Sequence, residues 1–176
     1  ETTIDALYHV PGKAEIVGGE VVRMSPTGLR PGRAAAAIAF SLRVCERLHG
    51  GGFAVGDNVA FVVELPHRRS FSPDAAWYTG PSEGLRFAQG APTFAAEVRS
   101  EGDYDPEADK RLGEKRADYF AAGTRVVWDV DLVGEDVVRV YRASAPLQPT
   151  VYRRGETAEA EPAVPGWTMP VDELFE

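Results

Sequence analysis

Two periodicities organise the chain. Short runs rich in Val, Ala and aromatic residues read as strands, in several of which apolar and polar positions alternate, and two longer stretches read as helices. "KAEIVGGEVVRMSP" predicts two short strands turning at Gly18 and Gly19, a dipeptide suited to a tight hairpin. "RPGRAAAAIAFSLRVCERLHGGG" predicts a helix opening at Pro31 and closing at Gly50 to Gly52. Ala34 to Phe40 is small and apolar nearly all round, so burial of this helix on more than one side is expected. "FAVGDNVAFVVEL" and "SFSPDAAWYTG" predict successive strands joined by the basic turn "PHRRS", and "TFAAEVRS" a further strand.

"DPEADKRLGEKRADYFAAG" carries a complete set of helix signals: Asp105 as cap, Pro106 in the first turn and Gly123 past the end. "TRVVWDVD" and "DVVRVYR" predict two more strands, "TVYRRGETAEA" a hairpin, and "VPGWTMPVDELFE" a tail that packs Trp167 and Leu174 back on the core. The middle order is therefore α-β-β-β-α-β. A helix between two apolar strand runs implies a crossover onto a mixed or parallel sheet, an α/β fold with flanking helices, an N-terminal hairpin and C-terminal strands.

At 176 residues and 44% hydrophobic content, the chain can bury one sizeable core, and a single domain over 1–176 is expected. No apolar run is long enough to span a membrane and no basic-then-apolar leader opens the sequence, so a cytoplasmic protein is expected. Cys45 stands alone and reads as a buried apolar residue. A net charge of -8 argues against a non-specific nucleic-acid coat. The acidic excess falls after residue 100, so a polyanion-facing surface would draw on Arg23, Arg30, Arg33, Arg68 and Arg69 in the first half.

Alternation sharpens the chemistry. In "TFAAEVRS", Phe94, Ala96 and Val98 share one face, and Ala95, Glu97 and Arg99 the other; in "FSPDAAWY", Phe71, Ala75 and Trp77 share one face and leave Asp74 opposite. Acids in apolar strands need partners, because burying an unpaired charge is expensive. On the following helix Ala108, Leu112, Lys115 and Tyr119 fall on one line, which puts Lys115 within the sheet-facing stripe. Its ammonium either snorkels outward or meets carboxylates inward. Two carboxylates and a lysine in one shallow site suit metal-assisted phosphodiester hydrolysis, since Asp and Glu are hard ligands for Mg²⁺. They also suit a structural ion network. No Gly-x-Ser-x-Gly elbow supports an acyl hydrolase, and His9, His49 and His67 lack metal-ligand spacing and read as surface residues.

"SPDAAWY" followed by "AAEVRS", with a helix before and a helix and strand after, resembles the PD-(D/E)XK nuclease superfamily. "KAEIVGGEVVRMSPTG", "SPDAAWY", "AAEVRSEGDY", "KRADYFAAGTRVVWDVD" and "VPGWTMPVDELF", in that order, are similar to the bacterial Uma-two endonuclease family, whose fold is restriction-endonuclease-like. The resemblance implies that Asp74 and Glu97 bind Mg²⁺, or Mn²⁺, with the backbone carbonyl of Val98 as a further ligand. Arg99 stands where the superfamily's lysine is usual, and the lysine of this pattern matches Lys115. Glu15 and Glu20 match acids of the opening hairpin, Glu15 as an additional or outer ligand and Glu20 as an exposed turn residue. Many relatives have a His where this chain has Pro31, and "SEGD" replaces the commoner Ser-Pro-Ser. The implied function is a Mg²⁺-dependent DNA endonuclease, expected as a homodimer because a two-fold dimer matches duplex symmetry. The alternative is a catalytically inactive binding module on the same fold.

Overall fold

The structure, a computed structural model, describes residues 3–82 and 84–176. A short helix α1 (Ile4–Leu7) leads into the hairpin of β1 (Ala14–Val17) and β2 (Glu20–Arg23). Gly18 and Gly19 turn it with φ of 59° and 78°, angles that a side chain would disfavour. Helix α2 (Leu29–His49) follows, capped at its end by Gly50 at φ 65°. It opens at Leu29, two residues earlier than Pro31 predicted. Extended Gly28 ends the preceding loop, and Pro31 still falls among the first-turn residues whose N–H has no partner within the helix.

Strands β3 (Phe53–Val55), β6 (Ala75–Tyr78), β8 (Phe94–Val98) and β9 (Val126–Val130) form the central sheet. Helix α3 (Pro106–Ala121) provides the crossover between β8 and β9. Strands β10 (Val138–Arg142) and β11 (Ala145–Tyr152) extend the sheet to the order β11-β10-β9-β8-β6-β3. Only β8 and β9 run parallel, with Glu97 opposite Asp129, and every other pair in this sheet is antiparallel. The mixed sheet with flanking helices, and the order α2-β3-β6-β8-α3-β9 within it, match the expected core.

Three local expectations fail. "FAVGDNVAFVVEL" breaks into β3 and β4 (Phe61–Val62), and β4 pairs with β5 (Ser70–Phe71) and β7 (Ala88–Gln89) in a separate small sheet. Phe71 therefore does not share the face of Ala75 and Trp77. The chain bends at Ser72 to Asp74, and Phe71 packs in the opposite core with Phe61 and Tyr119. "TVYRRGETAEA" is not a hairpin either: β11 pairs with β10, while β12 (Thr157–Glu159) pairs with β13 (Thr168–Pro170).

The sheet divides the interior in two. On one face α2 packs Ala34, Ala35, Ile38, Leu42 and Cys45 against Trp77, Phe94, Ala96 and Trp128, and the tail adds Trp167 and Leu174, as the sequence predicted, together with Met169. The ring of Trp167 stacks on Trp128 with centroids 5.0 Å apart. Helix α2 is buried on this side alone, not on more than one side as its apolar run predicts. Phe40 and Leu48 are 71% and 72% exposed, because the α2 face that carries them turns away from the sheet. On the other face α3 and the small sheet enclose Phe61, Phe71, Ala76, Ala95, Tyr119 and Val127. Glu97 and Asp129 belong to this second face.

Candidate active site

Beneath α3, where β1, β6, β8 and β9 come together, lies a cleft of about 790 Å³. Its lining includes Lys13, Glu15, Asp74, Glu97, Val98, Arg99 and Lys115. Six sequence-predicted residues, Glu15, Asp74, Glu97, Val98, Arg99 and Lys115, thus line one cleft, although they come from four separate elements or their ends.

Lys115 points inward, its side chain only 11% exposed, and its Nζ lies 2.8 Å from Glu97 Oε1 and 2.8 Å from Glu15 Oε2. The hydroxyl of Tyr119, one helical turn on, donates to the same Glu97 oxygen at 2.7 Å. Spacing of four along α3 makes this possible, since both side chains descend from one face of the helix. The ring of Tyr119 is stacked on Phe71 at 4.0 Å, which fixes the hydroxyl. Glu15 is 3% exposed and receives further bonds from Arg68 Nη1 at 2.8 Å and the Ser72 N–H at 2.6 Å.

Asp74 is held from two sides. Its Oδ2 accepts from the N–H of Val98 at 2.7 Å, tying β6 to β8, and its Oδ1 accepts from Lys13 Nζ at 2.8 Å. The same ammonium lies 2.7 Å from Asp57 Oδ1. Lys13 and Asp57 were missed in the sequence. Lys13 stands two residues before Glu15 in "KAEIV", so alternation already put both on one face; Asp57 lies in the irregular segment after β3 and offered no such signal.

Arg99 shares the face of Glu97 as alternation predicted, but its fork is engaged elsewhere. Its Nε and Nη2 donate to the two oxygens of Asp129 at 2.9 and 2.8 Å, and Nη1 donates to Asp109 at 2.7 Å. The guanidinium locks the ends of β8 and β9 to the start of α3. Arg68, expected on a polyanion-facing surface, is only 6% exposed and binds Glu15 and Asp118. A chain with more acids than bases draws some arginines inward as counter-ions. Arg30 and Arg33 likewise donate to the backbone carbonyls of Phe175 and Glu176, whereas Arg23 does line the cleft. Glu20 is exposed at the hairpin turn, as expected.

Burial, and then the neighbouring charges of Asp74 and Glu15, push the Glu97 carboxyl up to about 7, although Lys115 pulls the other way. Burial would lower the Lys115 ammonium, but Glu15 and Glu97 together hold it above the usual lysine value. Lys115 is thus a fixed cation at neutral pH. Glu15 behaves oppositely to Glu97: burial raises it, and Lys115 and Arg68 outweigh burial to hold it low.

Among the described residues, no three His, Cys, Asp or Glu side chains converge as a ready-made metal cage. Asp57 and Asp74 instead share Lys13, while Glu15 and Glu97 share Lys115. The donor chemistry nevertheless fits a hard divalent ion. Asp74 and Glu97 offer carboxylate oxygens in one cleft, and Mg²⁺ needs few protein ligands because it keeps several waters.

The mixed sheet, its flanking helices and the α3 crossover form a nuclease-like fold, with the acid-lysine cleft at the ends of β6 and β8. Residues 4–172 match the Uma2 family, described as "Putative restriction endonuclease", and the chain belongs to that family. A crystal structure described as a "putative nuclease belonging to DUF820" from Anabaena variabilis superposes with a TM-score of 0.75. It is 16% identical, and the match covers 99% of this chain and 98% of that one. At that identity the likeness speaks for the fold. No curated protein matches the sequence.

Proposed function

We propose that the protein is a divalent-metal-dependent endonuclease that hydrolyses phosphodiester bonds in DNA. The observation that carries this reading is the Lys115 ammonium, held at 2.8 Å between Glu15 and Glu97 in the cleft that also contains Asp74. Mg²⁺ or Mn²⁺, held by Asp74, Glu97 and the backbone carbonyl of Val98, would supply Lewis-acid stabilisation of the phosphate and its attacking water.

The chain's own residues do the rest. Lys115, a cation pre-positioned by Glu15 and Glu97, stabilises negative charge that grows on the phosphate oxygens. Glu15 keeps that ammonium in place and is itself anchored by Arg68. Tyr119 fixes the orientation of Glu97. Arg99 acts as a positioning residue, holding the end of β8 through Asp129. Arg23 and Arg111 at the cleft suit contacts to the phosphate backbone on either side. A homodimer with two such clefts would address both strands of a duplex.

A second reading has its own support: Lys13 and Lys115 ion-pair Asp74 and Glu97, so each acid has a counter-ion within the chain, as in a binding module that keeps the fold and has lost the chemistry. Plasmid cleavage with Mg²⁺, Mn²⁺ or EDTA separates the two. The nuclease reading expects nicking that needs the metal and is lost in Asp74→Ala and in Glu97→Gln while circular dichroism stays native. Cleavage that persists in the double variant would overturn it, and an inert wild type whose melting temperature ignores the metal would favour the binding module.

A further inference from the structure

The contact between Lys13 and two carboxylates has a use beyond holding the loop. Asp57 Oδ1 and Asp74 Oδ1 approach one ammonium at 2.7 and 2.8 Å from separate segments, one after β3 and one before β6. Two acid oxygens converging on one point form a seat for a cation. The Lys13 side chain fills it while only 13% exposed, and Asp57, at 40%, keeps the seat open to solvent.

We propose that Lys13 is a tethered cation occupying a divalent-ion seat in the resting protein, and that Asp57 is a further acid of that seat. This rests on the metal-binding reading of Asp74. Asp74 Oδ2 is committed to the N–H of Val98, so Oδ1 is the oxygen left for a cation, and Lys13 holds it. An ammonium and a divalent ion on the same oxygen would repel each other at contact distance, where little water can stand between them. Metal entry therefore expels Lys13. The lysine leaves as an intact ammonium, no covalent bond changes, and Asp57 passes from the ammonium to the ion. The freed side chain then faces the cleft as a second cation for a polyanionic ligand.

The test is a calorimetric Mn²⁺ titration of the full chain as wild type, Lys13→Met, Lys13→Met/Asp57→Asn, and Lys110→Met as a control on the exposed face of α3. Loss of the competitor is expected to tighten Mn²⁺ binding about tenfold or more in Lys13→Met, a difference of about 1.4 kcal/mol. Asp57→Asn should weaken it again within that background, and Lys110→Met should match wild type. A second measurement needs no variant. The chain contains three lysines, and acetylation mapped by mass spectrometry should speed up at Lys13 when Mn²⁺ saturates the wild type, with Lys110 unchanged. Equal or weaker binding by folded Lys13→Met, or Mn²⁺-independent labelling of Lys13, overturns the tethered-cation role while leaving the metal reading intact. Equal binding with and without Asp57 removes that residue from the seat. Failure of every protein to bind Mn²⁺ overturns the metal reading and this inference together.

Discussion

Glu97 Oε1 receives a lysine and a tyrosine at once, and the two bonds are not equal in consequence. Tyr119→Phe removes one donor but preserves the stack on Phe71 and leaves Lys115 in place, so Glu97 is not stranded. A loss of about 1–2 kcal/mol in urea unfolding is expected. Cleavage should fall further than binding if the hydroxyl orients Glu97. Arg68 is a harsher case, because among the described residues it alone joins Glu15 to Asp118 in a buried setting. Arg68→Met should cost roughly 3–5 kcal/mol, the range for breaking a buried charge network from one side. An unfolding midpoint unchanged by that substitution would show that the network contributes nothing to stability.

Elements are joined by similar locks outside the cleft. Glu159 in β12 accepts from the Arg142 guanidinium of β10, the Tyr152 hydroxyl of β11 and the Glu161 N–H. Burial raises its carboxyl, but Arg142, the Glu161 N–H and Tyr152 together outweigh burial and hold it below the ordinary glutamate value of 4.5. The sign follows from linkage: the unfolded chain takes up its proton first, so the stabilisation is complete above about pH 4.5 and is lost as pH falls through the lowered native value. Thermal unfolding of wild type and Glu159→Gln across pH 3 to 7 should show curves that converge toward the acid end. A constant gap would deny Glu159 that role. Helix α3 shows an element written almost wholly in local code, with Asp105 accepting from the Ala108 N–H at 2.7 Å and Pro106 in the first turn.

At the scale of the whole molecule, the sheet separates an apolar core under α2 from a second core that carries the charged cleft under α3. The C-terminal segment belongs to the first of these. Trp167 is 4% exposed, stacks on Trp128 and donates from Nε1 to the Ser41 hydroxyl of α2 at 3.0 Å. Trp167→Ala should therefore cost about 3–5 kcal/mol as a large-to-small core change, although the residue lies far from the cleft. Intact metal binding in that variant, measured below its lowered melting temperature, would show that the two cores are energetically separable.

The sequence by itself determined the elements with strong local signals: the Gly18–Gly19 turn, the capped α3, the strand β8 and the face shared by Glu97 and Arg99. It also placed Lys115 within the sheet-facing line of α3, because helical periodicity fixes a residue's face, but left open whether its ammonium turned outward or met carboxylates. Only the tertiary structure decided which charges meet. Lys13 and Asp57 are 44 residues apart and Arg68 and Asp118 are 50 apart, and no periodicity relates them. The same holds for α2, whose uniform alanine-rich run gave no account of which side the sheet would cover. Partner choice among buried charges depends on where chain segments end in space, and that is set by the packing of the two cores on one twisted sheet rather than by any local stretch of residues.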